Sequence, residues 1–281
     1  SAADFSQIVR TFAGGISKFP LNFGRKVVVA INSRADLDGP VAEAAHFVRN
    51  SNAASILLVH TRLEAIKSAA SAEDVEGLLA QANSKALGVE VELREVEGSP
   101  YRARRDIATD ESVGVIVAAM PQNSFMRAYA GIPRILNELG PAGVPILLTR
   151  GDTFFDAIIA PVRRTVSGNS AGRAAIDIAR TSGAKVIGVA VANPSYMGRD
   201  DLTEKRKATS WLRREASVQD VVVERHVVRG NPVRVIADVT KRDRLLVVST
   251  PPGHVSRWSP GIAVWAAARG DGSVLFVPPV D

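Results

Sequence analysis

The sequence predicts an α/β protein made of two tandem five-stranded parallel-sheet sandwiches that pack together as a pseudo-dimer. Three observations carry this: apolar runs too continuous for half-exposed strands, their alternation with helical patterns, and a match of the sequence to itself at a nearly constant offset. Residues 26–32 read KVVVAIN and residues 157–162 read AIIAPV, each as expected of a strand covered on both faces. A shift of 130 positions lays Ala30 on Ala160, Val48 on Ile178, residues 53–56 on 183–186 and residues 115–121 on 245–251. Residues 97–100 meet 229–232 at an offset of 132, and 145–149 meet 273–277 at a slightly shorter one. Ordered landmarks of this kind mark an internal duplication.

The elements follow in order. Residues 1–24 form a lead-in helix and linker, with Phe5, Ile8, Val9, Phe12 and Ile16 at helical spacing and the pattern ending before Pro20. The first domain spans 25–150. Its strands are expected near 26–32, 55–60, 90–96, 114–120 and 144–149, and its helices near 38–50, 71–87, 100–110 and 125–140. The second domain, 154–281, repeats this order from 157 to 278. Strand–helix alternation of this kind forces right-handed crossovers and a parallel sheet with helices on both faces. The fifth strand of such a unit often lies at the sheet edge, where unpaired backbone invites another edge. The halves are therefore expected to pair within one chain, and two chains to associate further as a homodimer.

Composition narrows the function. The chain has 281 residues, 46% hydrophobic and 23% charged, enough for two ordinary cores. Its longest apolar stretches, near 113–120 and 184–192, fall well short of the roughly 20 residues of a membrane span. No cysteine is present, which removes disulfides, thiolate nucleophiles and cysteine metal sites and fits a reducing compartment. The first residue is Ser1 and no secretory signal is visible, so the natural polypeptide is expected to extend further upstream. The net charge is +6, with basic clusters at Arg102, Arg104 and Arg105, at Lys205, Arg206 and Lys207, and at Lys241, Arg242 and Arg244. Acids alternate with these clusters and no aromatics interleave, so they read as solvated faces. No nucleic-acid partner is expected, whereas an anionic membrane surface fits the charge.

Motifs for catalysis are sparse. Residues 168–172 match the G-x-S-x-G pattern of a serine-hydrolase elbow, but the preceding strand ends near Val162, too early for that geometry. The duplication aligns Ser170 with Pro40, which makes it an N-cap or first-turn residue. His46, His60, His226 and His254 lack metal-ligand spacing, and neither a phosphate-loop nor a dinucleotide fingerprint occurs. No catalytic residue, metal or enzyme activity is expected. A ligand of an open parallel sheet would sit beyond the carboxyl ends of the strands, where strand order reverses. The turns Gly98-Ser99-Pro100 and Gly230-Asn231-Pro232 serve either a structural turn or a ligand approach.

The turns Val96 to Pro100 and Val228 to Pro232, each V-x-G-x-P before the third helix, resemble those of tandem universal stress protein domains. The second copy is the more similar, in residues 158–162 (IIAPV), 170–175 (SAGRAA) and 179–184 (ARTSGA). The resemblance implies the adenine nucleotide alpha hydrolase-like, universal stress protein fold. Nucleotide-binding members carry an acid after the first strand and a G-x-x-G, nine-residue gap, G-[ST] loop after the fourth. This chain has Asn32 and Val162 in place of the acid. After the fourth strand the first copy reads MPQNS at 120–124, with Gly131 surviving near the motif's end. The second keeps Gly253 and Gly261, with seven residues between them and isoleucine following. These departures describe a degenerate nucleotide-binding site.

The resemblance extends to the cytosolic carboxyl-terminal portions of secondary transporters, cation/proton antiporters and prokaryotic cation–chloride cotransporters among them. It implies a non-catalytic regulatory or assembly domain of a membrane ion transporter, on the cytoplasmic side, with the transmembrane transport domain of the same polypeptide as partner. The alternative is a free-standing tandem stress protein that binds ATP or another nucleotide. Candidate cleft residues are Asn32, Gly98, Pro161, Arg163, Gly230, Gly253, His254, Ser259 and Gly261. No cofactor is expected; a nucleotide, where one binds, belongs in the second half.

Overall fold

The computed structural model describes residues 26–31, 37–49, 55–62, 72–97, 113–121, 125–150, 155–162, 166–194, 201–251, 253–256 and 258–278. The expected lead-in helix and the helix near 100–110 lie outside them. Among the described residues the strands are β1 (Lys26–Ile31), β2 (Ile56–Arg62), β3 (Val91–Glu97), β4 (Val113–Ala119), β5 (Ile146–Thr149), β6 (Ala157–Pro161), β7 (Lys185–Ala192), β8 (Val223–Arg229), β9 (Arg244–Ser249) and β10 (Val274–Val277). The helices are α1 (Asp38–Arg49), α2 (Ala72–Lys85), α3 (Phe125–Leu139), α4 (Val166–Ser182), α5 (Leu202–Ser217), α6 (Pro232–Val239) and α7 (Gly261–Arg269).

The strands form one ten-stranded sheet in the order β3-β2-β1-β4-β5-β10-β9-β6-β7-β8. Each half is a parallel five-stranded sheet whose third, second, first, fourth and fifth strands lie side by side. The halves join where β5 and β10 pair antiparallel, with Leu147 opposite Leu275 and Ile146 opposite Phe276. The expected pseudo-dimer is thus a continuous sheet: each fifth strand lies at the edge of its own half, as expected, and the two edges pair at the centre. Every strand of one half runs opposite to every strand of the other.

The core explains why the strands read as unbroken apolar runs. Successive residues point to opposite faces, and both faces are covered. Val27 and Val29 of β1, with Leu245 and Val247 of β9, pack beneath α1, α2, α4 and α5. Val28, Leu246 and Val248 pack on the other face with Ile132 and Leu136 of α3, Ile236 of α6 and Val264 and Ala267 of α7. The free edges β3 and β8 instead carry Glu92, Arg94 and Glu95, and Glu224, Arg225 and His226, charges that discourage further strand addition.

Polar contacts tie the halves together beside the β5–β10 junction. Ser273, preceding β10, donates to Glu43 Oε1 of α1 at 2.6 Å and accepts from the Arg150 N–H at 3.0 Å. The Arg150 guanidinium donates to the Ala267 carbonyl at 3.0 Å, covering an end of α7 whose last carbonyls have no helical partner.

Candidate functional site

In each half the strand order reverses between the first and fourth strands, and the crevice outside their carboxyl ends is where such sheets take ligands. These points are β1 with β4 and β6 with β9. They have diverged.

In the first half, α3 begins at Phe125, directly after residues 120–124, and runs 15 residues. Gly131 is therefore inside the helix expected near 125–140, so its match to the motif's last glycine does not place it in a loop. A Cβ built on Gly131 would lie 2.6 Å from Pro121 Cγ, so the glycine exists to let the proline ring rest on the helix. Met120 beneath it is buried. Ala128, Ile132, Ile135, Leu136 and Leu139 lie on its core face, the amphipathic spacing that holds this segment as helix.

In the second half the corresponding helix, α7, is nine residues long and starts at Gly261, and the described residues between Ser249 and Gly261 belong to no helix or strand. Thr250 is fixed at its base, donating its N–H to the Val277 carbonyl at 2.7 Å. Gly253 (φ 69°) and Gly261 (φ 84°) both occupy the left-handed region, and a Cβ on either would meet nothing within 4 Å. Backbone conformation, not packing, demands glycine there. Between them Val255 is buried, and His254 and Ser259 are exposed. The Trp258 N–H donates to Ser256 Oγ at 3.2 Å, yet its indole is 95% exposed. The first turn of α7 follows Pro260 and has no side-chain cap.

Asn137 of α3 holds this loop from the other half. Its side-chain nitrogen donates to the Val255 carbonyl at 2.9 Å, and its oxygen accepts from the Val255 N–H at 2.6 Å. Sequence reasoning missed Asn137, because nothing local signals a partner 118 residues away.

The remaining candidates divide. Pro161 ends β6 beside this loop's strand, half-buried, and Val162, standing where the resemblance places an acid, is buried in the core. Gly230 is not brought together with them: it follows the edge strand β8, separated from β9 by β6 and β7, and donates its N–H to the Ala192 carbonyl at 3.1 Å. Beside it Asn231 caps α6, accepting from the Arg234 N–H, and Pro232 opens the helix. Asn32, Gly98 and Arg163 lie outside the described residues.

Ser170 is not the N-cap or first-turn residue expected from the duplication. The strand β6 ends at Pro161, α4 begins at Val166, and Ser170 is buried in its second turn, so residues 168–172 are helix and not a nucleophile elbow. His46 packs edge-on against Phe155 at 5.9 Å, and burial, with Arg49 nearby, lowers its pKa. His226 and His254 are exposed. The described members of the Lys205 and Lys241 clusters lie largely on solvated surface, with Lys205 pairing with Asp201 at 3.7 Å. Among the described residues no helix is long and apolar enough to cross a membrane.

No family model and no curated protein matches the sequence. Solved structures do. A universal stress protein from Archaeoglobus fulgidus DSM 4304 superposes with a TM-score of 0.64 at 12% identity, covering 91% of this chain and 97% of that one. A putative universal stress protein from Pseudomonas aeruginosa UCBPP-PA14 does so with 0.63 at 16% identity, covering 92% and 94%. At these identities the likeness carries the architecture: the chain has the fold of these universal stress proteins, over nearly its whole length.

Proposed function

We propose that this chain is a non-catalytic regulatory module of the universal stress protein type, in which the second half keeps a cleft for a phosphate-bearing nucleotide and the first half serves assembly. The observation that carries this reading is the contrast between the two fourth-strand loops. One has been absorbed into α3, and the other keeps two left-handed glycines ahead of a helix without a side-chain cap. Backbone N–H groups at such a helix start suit an anion. The only serine-elbow motif in the sequence lies within α4, which supports a binding role over hydrolysis.

The setting proposed is the cytoplasmic side of a membrane ion transporter, as a regulatory domain that associates as a homodimer and communicates with the transport domain. The +6 net charge favours it, since cytoplasmic leaflets are anionic. The competing setting is a free-standing stress protein with the same cleft.

Calorimetric titration with ATP, AMP and cyclic dinucleotides tests the cleft. Binding weakened by Gly253→Ala and Gly261→Ala supports it; absence of binding, or binding indifferent to both changes, refutes it. The full-length gene tests the setting. A reading frame lacking an upstream run of membrane helices would sink the transporter role and leave the free-standing form.

A further inference from the structure

A concavity lies between the start of α6 and α7. It has a volume of about 510 Å³ and is lined by Asn231, Val233 and Arg234 of the α6 start and by Trp265 and Arg269 of α7. We propose that it is a binding site for a small organic anion bearing a flat ring, an aryl phosphate or aryl carboxylate.

Size comes first. Small-molecule sites run from roughly 300 to 1,000 Å³, so the cleft suits a compact ligand. Charge comes next. Arg269 is exposed and, among the described residues, makes no ion pair. Among the described residues Arg234 pairs with Asp238 alone, at 3.7 Å, with both side chains more than half exposed. A pair of that kind is weak and yields readily to a better anion. The backbone at the α6 start has few donors left, since Asn231 accepts from the Arg234 and Val235 N–H groups and Pro232 has none. The charge offered is therefore two guanidinium groups, whose planar forks suit carboxylate or phosphate and which also stack on rings.

Shape comes last. The Trp265 ring is held at 4.3 Å from Tyr129, tilted by 40°, so the indole in the cleft wall is positioned before any ligand arrives. Ordering a free indole would cost binding energy, which this contact avoids. A fixed aromatic wall beside two guanidinium groups selects a ligand that is apolar and flat at one end and anionic at the other.

The test is calorimetric titration of the whole chain with phenyl phosphate, inorganic phosphate and phenol. Phenyl phosphate is expected to bind at least about tenfold more tightly than either fragment, and Arg269→Ala and Arg234→Ala each to weaken it by about tenfold. Gly253→Ala should leave it unchanged, which separates this site from the nucleotide cleft. Circular dichroism confirms that each variant is folded, as expected for exposed arginines. Equal affinity for phenyl phosphate and inorganic phosphate, no effect of removing both arginines, or loss on altering Gly253 would overturn the proposal.

Discussion

Asn137 and Val255 form a closed pair across the seam between the halves, the amide oxygen accepting at 2.6 Å and the amide nitrogen donating at 2.9 Å. One side chain thereby reads both backbone groups of a residue in the loop of the other half. Asn137→Ala removes both bonds and leaves part-buried backbone groups in need of partners. A loss of about 1–3 kcal/mol is expected in urea unfolding. Hydrogen exchange at residues 253–256 should accelerate in the same variant; unchanged exchange would show that the loop holds its shape unaided.

Ser273 is the corresponding tie on the opposite face. Its hydroxyl donates to wholly buried Glu43 and accepts from the Arg150 backbone. Ser273→Ala deprives both of this partner, with an expected cost of about 1–3 kcal/mol. Because Glu43 and Ser273 belong to different halves, the unfolding transition should also broaden. A sharp transition at the wild-type midpoint would contradict the role given to this contact.

His46 predicts a pH dependence. Burial, and secondarily Arg49, lowers its pKa in the folded chain, so the unfolded chain binds the proton more tightly. The associated stability is present above the ordinary histidine value of about 6.5 and declines as pH falls below that value through the folded pKa. His46→Phe should flatten the slope of stability between pH 7 and 5. Parallel slopes in the two proteins would rule this out.

Gly131→Ala places a methyl group against the Pro121 ring, where the built Cβ lies 2.6 Å from Cγ. Helix propensity alone would favour alanine by roughly 1 kcal/mol. Overpacking costs about 1–3 kcal/mol, and neither the proline ring nor the helix backbone gives easily, so net destabilisation is expected. Thermal melting decides the sign.

Much of the fold was legible because burial on both faces leaves a strong local imprint. Residues 26–32 announced β1, residues 157–162 announced β6, and the duplication supplied the remaining order. The edge argument for the fifth strands anticipated that the halves would pair within one chain, though not that β5 and β10 would run antiparallel and make one ten-stranded sheet. The site was less legible. Gly131 and Gly261 look equivalent in sequence, but one lies inside a helix and the other begins one, because helix length depends on where apolar residues meet the core. Ser170 was misplaced because aligning it with Pro40 does not fix where α4 begins. Asn137, Trp265 and Arg269 left no trace, since their importance comes from neighbours supplied by other elements.

The antiparallel junction of β5 and β10 gives the sheet a polarity of its own. Strands of the first half finish on one rim, and those of the second half finish on the other. The two crevices therefore open in opposite directions, and no single ligand spans both. By the same reversal, the amino end of β1 lies on the rim where β6 and β9 end, as the grip of Asn137 on Val255 also requires. Lys26 therefore opens the first half's sheet on the rim where the second half displays its glycine-flanked loop, and the two halves present unlike ends of their strands to the same side.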